Sequence, residues 1–158
     1  MPSFRGLLID TNLLVLFTVG TVNRRRIESF KRTSKYNEDD YDLLVRVIER
    51  AGNPLYTVAH VLAEVSNLTD LTGRERRLAR RLLRETITKL QEPSMPSERA
   101  LQNPVYERLG LVDAAIAAVA RDANCAVLTD DLDLYLALSG EAVEVYNFAH
   151  LQAREWGV

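Results

Sequence analysis

The chain has 158 residues, 47% of them hydrophobic, 27% charged and 7% aromatic, with a formal net charge of −2. That length suits one domain with a sizeable core, and an apolar fraction this high excludes a disordered chain. A single cysteine, Cys125, excludes a disulfide scaffold and fits a reducing compartment.

In chain order, Arg5–Ile9 is a short apolar run ending at Asp10 and predicts a buried strand. The run is too short for a signal peptide's apolar region, and no stretch approaches the roughly 18 apolar residues of a membrane span. A cytoplasmic protein with no membrane partner is expected. Leu13–Val19 predicts a helix capped by Thr11 or Asn12. Residues 38–51 place Tyr41, Leu44, Val45 and Ile48 at helical spacing, with Gly52 as the stop. Leu55–Val58 predicts a short strand, Ala59–Leu68 a helix and Arg74–Leu90 a longer one, followed by a polar connector from Gln91 to Pro104. Leu111–Ala123 is an Ala-rich helix, Cys125–Thr129 a buried strand and Asp131–Leu138 a helix. Ala142–Tyr146 closes the strands and Phe148–Trp156 forms a terminal helix. Strands separated by helices predict one α/β domain over 1–158, a central parallel sheet with helices on both faces.

The small net charge hides an asymmetry. Residues 1–35 carry seven Lys/Arg against Asp10 and Glu28, and residues 74–89 again carry seven against two, each giving +5. From Glu107 onward nine acids face three arginines, giving −6. Basic stretches beside an acidic third suit a polyanion-binding surface around a cation-binding pocket. Equally, 74–89 reads as the solvated face of a helix whose buried stripe is Leu78, Leu82 and Leu83.

Ligands bind beyond the carboxyl ends of the strands of an open parallel sheet. Asp10 ends the first strand in LLIDTN, and Asp130 and Asp131 end a later one in CAVLTDDLDL. Glu64 sits among Val61, Leu62, Val65 and Leu68, and Asp113 lies in the otherwise apolar LVDAAIAAVA. Each of the four has a plain structural alternative: helix caps for Asp10 and Asp131, a helix-dipole charge for Asp113, a surface position for Glu64. If Asp10, Glu64, Asp113 and Asp131 converge, their repulsion calls for cations between them. Oxygen ligands without clustered His or Cys select Mg²⁺ or Mn²⁺ rather than zinc. Such ions activate water and neutralise a phosphodiester, which points to a metal-dependent nuclease.

LLIDTN, LAEV, LVDAAIAAVA and VLTDDLDL, in that order, resemble the motifs of the PIN-domain ribonucleases, VapC-type toxins among them. The resemblance assigns Asp10, Glu64, Asp113 and Asp131 as the catalytic and metal-binding acids. Asn12, Thr129 and Asp133 become supporting residues, and Asp130 falls on a variable position. It implies a PIN fold, Mg²⁺ or Mn²⁺, RNA hydrolysis, a homodimer and, for a toxin, a cognate antitoxin. The 54 positions from Asp10 to Glu64 exceed those of compact toxins and predict an enlarged helical segment around 21–54.

Other classes fit less well. Serine hydrolases and P-loop NTPases lack their Gly-x-Ser-x-Gly and Gly-rich Lys-Ser/Thr signatures here. Aspartyl-phosphate enzymes need a downstream lysine, and none follows Asp131. A non-catalytic PIN-like module binding RNA or protein stays the alternative.

Overall fold

A computed structural model describes residues 5–52 and 54–155. Four strands form one parallel sheet in the order β2-β1-β3-β4: β1 (Leu7–Ile9), β2 (Leu55–Tyr56), β3 (Ala126–Thr129) and β4 (Val145–Asn147). The described helices are α1 (Thr11–Val22), α2 (Glu38–Ala51), α3 (Ala59–Leu68), α4 (Gly73–Lys89), α5 (Ser97–Ala100), α6 (Tyr106–Leu109), α7 (Leu111–Ala123), α8 (Leu132–Gly140) and α9 (Phe148–Glu155). Every residue of β1 and β3 is buried. Successive side chains point to opposite faces, so helices must cover both faces of the sheet.

The core centres on these two strands. Leu8, Val127 and Leu128 are fully buried, together with Leu13 and Leu16 of α1 and Ile116 of α7. Gly6 enters β1 with φ +125, and a Cβ there would lie 2.6 Å from the Pro54 carbonyl oxygen. Glycine is required at that approach. The outer edge of β2 is closed by Gln91, whose N–H donates to Leu55 O at 2.8 Å and whose carbonyl accepts from Thr57 N at 2.9 Å. Among the described residues no helix is long and apolar enough to cross a membrane.

Four sequence expectations change. The cap of α1 is neither Thr11 nor Asn12 but Asp10, whose side chain accepts from Thr11 N. Asp131 caps α8 rather than opening it. The connector 91–104 contains α5, and α6 follows it. Each has only four residues, too few to show a helical period. The last strand begins at Val145 rather than Ala142, which has positive φ, a conformation foreign to strands. Residues 1–4, to which part of the leader expectation applied, and Trp156 lie outside the described residues.

Residues 21–54 hold the end of α1, a 3-10 turn at Arg24–Arg26, a run of turns and α2. An Asn37–Asp40 capping box starts α2, each side chain bonding the other's backbone N–H at 2.9 Å. Much of the first basic stretch is neutralised within the fold. Arg24 pairs with Glu38 and Asp42, Arg26 with Glu75, and Lys31 with Asp70.

Candidate active site

In the order β2-β1-β3-β4 the connection from β1 runs to β2 on one side and that from β3 to β4 on the other, so the ligand crevice of such a sheet opens between β1 and β3. Asp10 follows β1 directly. Its backbone N–H still belongs to the sheet, donating to Leu128 O at 2.9 Å. Its side chain is held twice: Oδ1 accepts from Thr11 N at 2.7 Å and Oδ2 from Thr129 Oγ1 at 2.6 Å. Burial lifts its pKa to about 6 despite those bonds, with the Asp130 and Asp131 charges adding to the rise. Asp10 is thus both a helix cap and a buried carboxylate at the crevice.

Glu64 approaches from α3, where its Oε2 accepts from Thr11 Oγ1 at 3.2 Å. Asp113 stands in the first turn of α7, partly buried. Its pKa rises to about 7, first from burial and then from the charges of Asp10, Asp131 and Glu64, with no hydrogen bond opposing the rise. Asp131 is anchored as a cap, its Oδ1 accepting from Asp133 N at 2.8 Å and Leu134 N at 3.2 Å. Thr129 joins the two strand-end acids, since its Oγ1 also accepts from Asp131 N at 3.0 Å.

The structure therefore brings Asp10, Glu64 and Asp131 within electrostatic reach of Asp113, with Thr129 between Asp10 and Asp131. Asn12 points elsewhere, with Nδ2 at 3.5 Å from Asp130 Oδ1. Asp133 is exposed and touches the group only through its backbone N–H.

Sequence reasoning missed a second tier. The Asp130 side chain is only 8% exposed, and its Oδ2 accepts from Lys35 Nζ at 2.6 Å and from the Tyr36 hydroxyl. Burial and the Asp130 contact push the Tyr36 phenol far above its usual value, so it stays a donor. Lys35 also lies 5.1 Å from the Tyr36 ring centroid. The available signal was the acidic doublet itself: a second carboxylate beside Asp131 needs a counter-charge, but with 20 Lys and Arg in the chain the sequence does not single out Lys35.

The chemistry of the donor set suits a hard divalent ion. It is all oxygen, and two carboxylates carry raised pKa values, one of them without a hydrogen-bond donor. As arranged, no three Asp, Glu, His or Cys side chains among the described residues stand close enough to hold one ion. Glu64 is turned to Thr11 and Asp131 to its helix.

The PIN domain family model matches residues 34–137, about two thirds of the chain, and the chain belongs to that family. PIN domains are generally nucleases that act on RNA and typically bind a divalent metal, which supports a hydrolytic reaction. The match contains Glu64, Asp113, Thr129 and Asp131, while Asp10 precedes it. Among solved structures, the chain is similar to a domain of a functionally unknown protein from Methanocaldococcus jannaschii DSM 2661. That likeness has 16% identity and a TM-score of 0.50, covers 90% of each chain, and supports the fold alone. No curated protein matches the chain significantly.

Proposed function

We propose that the protein is a metal-dependent endoribonuclease whose metal-binding and catalytic acids are Asp10, Glu64, Asp113 and Asp131. One observation carries the reading: Asp113, partly buried and without a hydrogen-bond donor, feels the charges of Asp10, Asp131 and Glu64 at the end of the sheet where ligands bind. Asp113 keeps the first-turn position of a helix-dipole charge, but the like charges around it oppose its ionised form, which a cation would stabilise.

In this reading Asp10 and Asp113 are the principal holders of Mg²⁺ or Mn²⁺, with Glu64 and Asp131 completing the site or acting through water. The bound ion would neutralise phosphodiester oxygens and acidify a water. The remaining work falls to the chain. Thr129 and the α1 backbone fix the Asp10 carboxylate, and Thr11 orients Glu64. Asp131 has Oδ2 outside its capping bonds, so it can reach a water without uncapping α8. Lys35 and Tyr36 tie down Asp130 and limit repulsion on Asp10.

The domain reading of 1–158, with 21–54 as its enlarged segment, belongs to this proposal. A toxin role with an antitoxin and a homodimer rests on the VapC-type resemblance alone. Growth arrest on expression, relieved by a neighbouring gene product, would test the toxin role, and light scattering the dimer.

The function is tested by cutting single-stranded RNA in Mn²⁺ and in chelator, with wild type and Asp10→Asn. Cleavage by wild type in Mn²⁺ alone, lost in the variant, is expected. RNA binding without cleavage under any divalent ion would favour the non-catalytic module instead.

A further inference from the structure

The two basic stretches have opposite fates in the fold. Arg24, Arg26, Lys31 and Lys35 of the first are paired with carboxylates. In α4, Arg74, Arg77, Arg80, Arg81 and Arg84 are all exposed, and none has a carboxylate or hydrogen-bond partner among the described residues. At 3.6 residues per turn these five fall within an arc of about 120° and extend over about 15 Å. Buried Ala79 and partly buried Leu78 and Leu82 lie on the opposite side. Glu75 is turned inward to Asn23 and Arg26, and Glu85 alone flanks the arc.

We propose that this arginine face of α4 binds the phosphate backbone of single-stranded RNA, without regard to base sequence; the inference extends the nuclease reading and rests on it. Three features favour a phosphate backbone over an acidic protein. The basic residues of α4 are six arginines and one lysine, and the planar guanidinium fork matches phosphate oxygens. Between Arg74 and Arg84 the arc carries no apolar side chain, whereas a protein interface needs an apolar centre. It carries no aromatic side chain either, so it offers charge to a backbone and no stacking platform to bases.

The face also has a direction. Glu75, at the start of α4, meets Asn23 just beyond the end of α1, while Thr86 and Lys89 share a cavity with Leu14 and Phe17. The two helices therefore run antiparallel, and a strand lying along the arginines travels towards the Asp10 end of α1.

The test is titration of a fluorescent 20-nucleotide RNA of mixed sequence, in chelator, over a range of salt concentrations. It compares wild type, Arg77→Gln/Arg80→Gln/Arg81→Gln/Arg84→Gln and a control, Arg24→Gln. For single strands the slope of log affinity on log salt flattens by about 0.7 for each phosphate that the protein no longer neutralises. The fourfold variant should bind at least tenfold more weakly at low salt, with a slope flatter by about 2 to 3. The control should match wild type, and circular dichroism should show all three folded. An unchanged slope and affinity in the fourfold variant overturns the proposal. So does displacement of the RNA by polyglutamate as readily as by unlabelled RNA. Binding that follows these expectations while wild type fails to cut RNA in Mn²⁺ would sink the nuclease reading but leave the RNA face standing.

Discussion

The hydroxyl of Thr129 donates to Asp10 Oδ2 at 2.6 Å, across 119 positions of sequence, and the same oxygen accepts from Asp131 N at 3.0 Å. One threonine at the end of β3 thus holds the acid that ends β1 and sets the backbone of the acid that caps α8. Thr129→Val keeps the shape and removes both bonds. Asp10 would lose the bond that most lowers its pKa, so its folded value should climb further above about 6. The destabilisation should be larger at pH 8, where Asp10 must be charged, than at pH 5, and should reach about 2 kcal/mol. Urea unfolding at the two pH values checks this, and equal losses would contradict it.

The raised carboxylates set the pH dependence of the metal-free fold. Asp113 rises from 3.8 to about 7, so the folded state binds its proton more readily than the unfolded state. The stability this gives is fully present below the unfolded value and is lost as pH climbs through the folded one. In chelator, wild type should therefore lose stability relative to Asp113→Asn between pH 4 and pH 7, then hold a constant difference above. The full difference is a few kcal/mol, lessened by partial exposure. Urea unfolding of both proteins at half-unit pH steps measures it, and a difference independent of pH would contradict it.

Asp130 adds to the rise at Asp10 while being held by Lys35 and Tyr36. Asp130→Asn should move the acid limb of the cleavage–pH profile to lower pH. Lys35→Gln, which strips Asp130 of its counter-charge, should move it the other way. Shifts in the same direction would show that the pair acts through packing rather than charge.

Three of the four candidate acids are legible in the sequence through two local rules. An apolar run ending in Asp10 or Asp131 is a strand delivering a carboxylate to the binding edge, and Asp113 is conspicuous in an apolar helix. What could not be read depended on distant parts of the chain. The turns before α2 carry no periodicity, so nothing local places Lys35 and Tyr36 on Asp130. Nor does composition reveal which arginines find carboxylates: the stretches at 1–35 and 74–89 have equal net charge, yet the fold pairs much of the first and leaves α4 bare. For Asp10, the cap and the site acid were read as alternatives, and the structure places one side chain where it can serve as both.

The central claim, that these acids form one cation-requiring site, is tested most directly by thermal melting of wild type and Asp113→Asn at pH 8, each in chelator and in millimolar Mn²⁺. Removing a charge that no donor stabilises should raise the melting temperature in chelator. Mn²⁺ should raise that of wild type, as any ligand of the folded state does, and leave the variant nearly unchanged. A variant that melts below wild type in chelator and gains as much from Mn²⁺ would make Asp113 a structural residue and contradict the account.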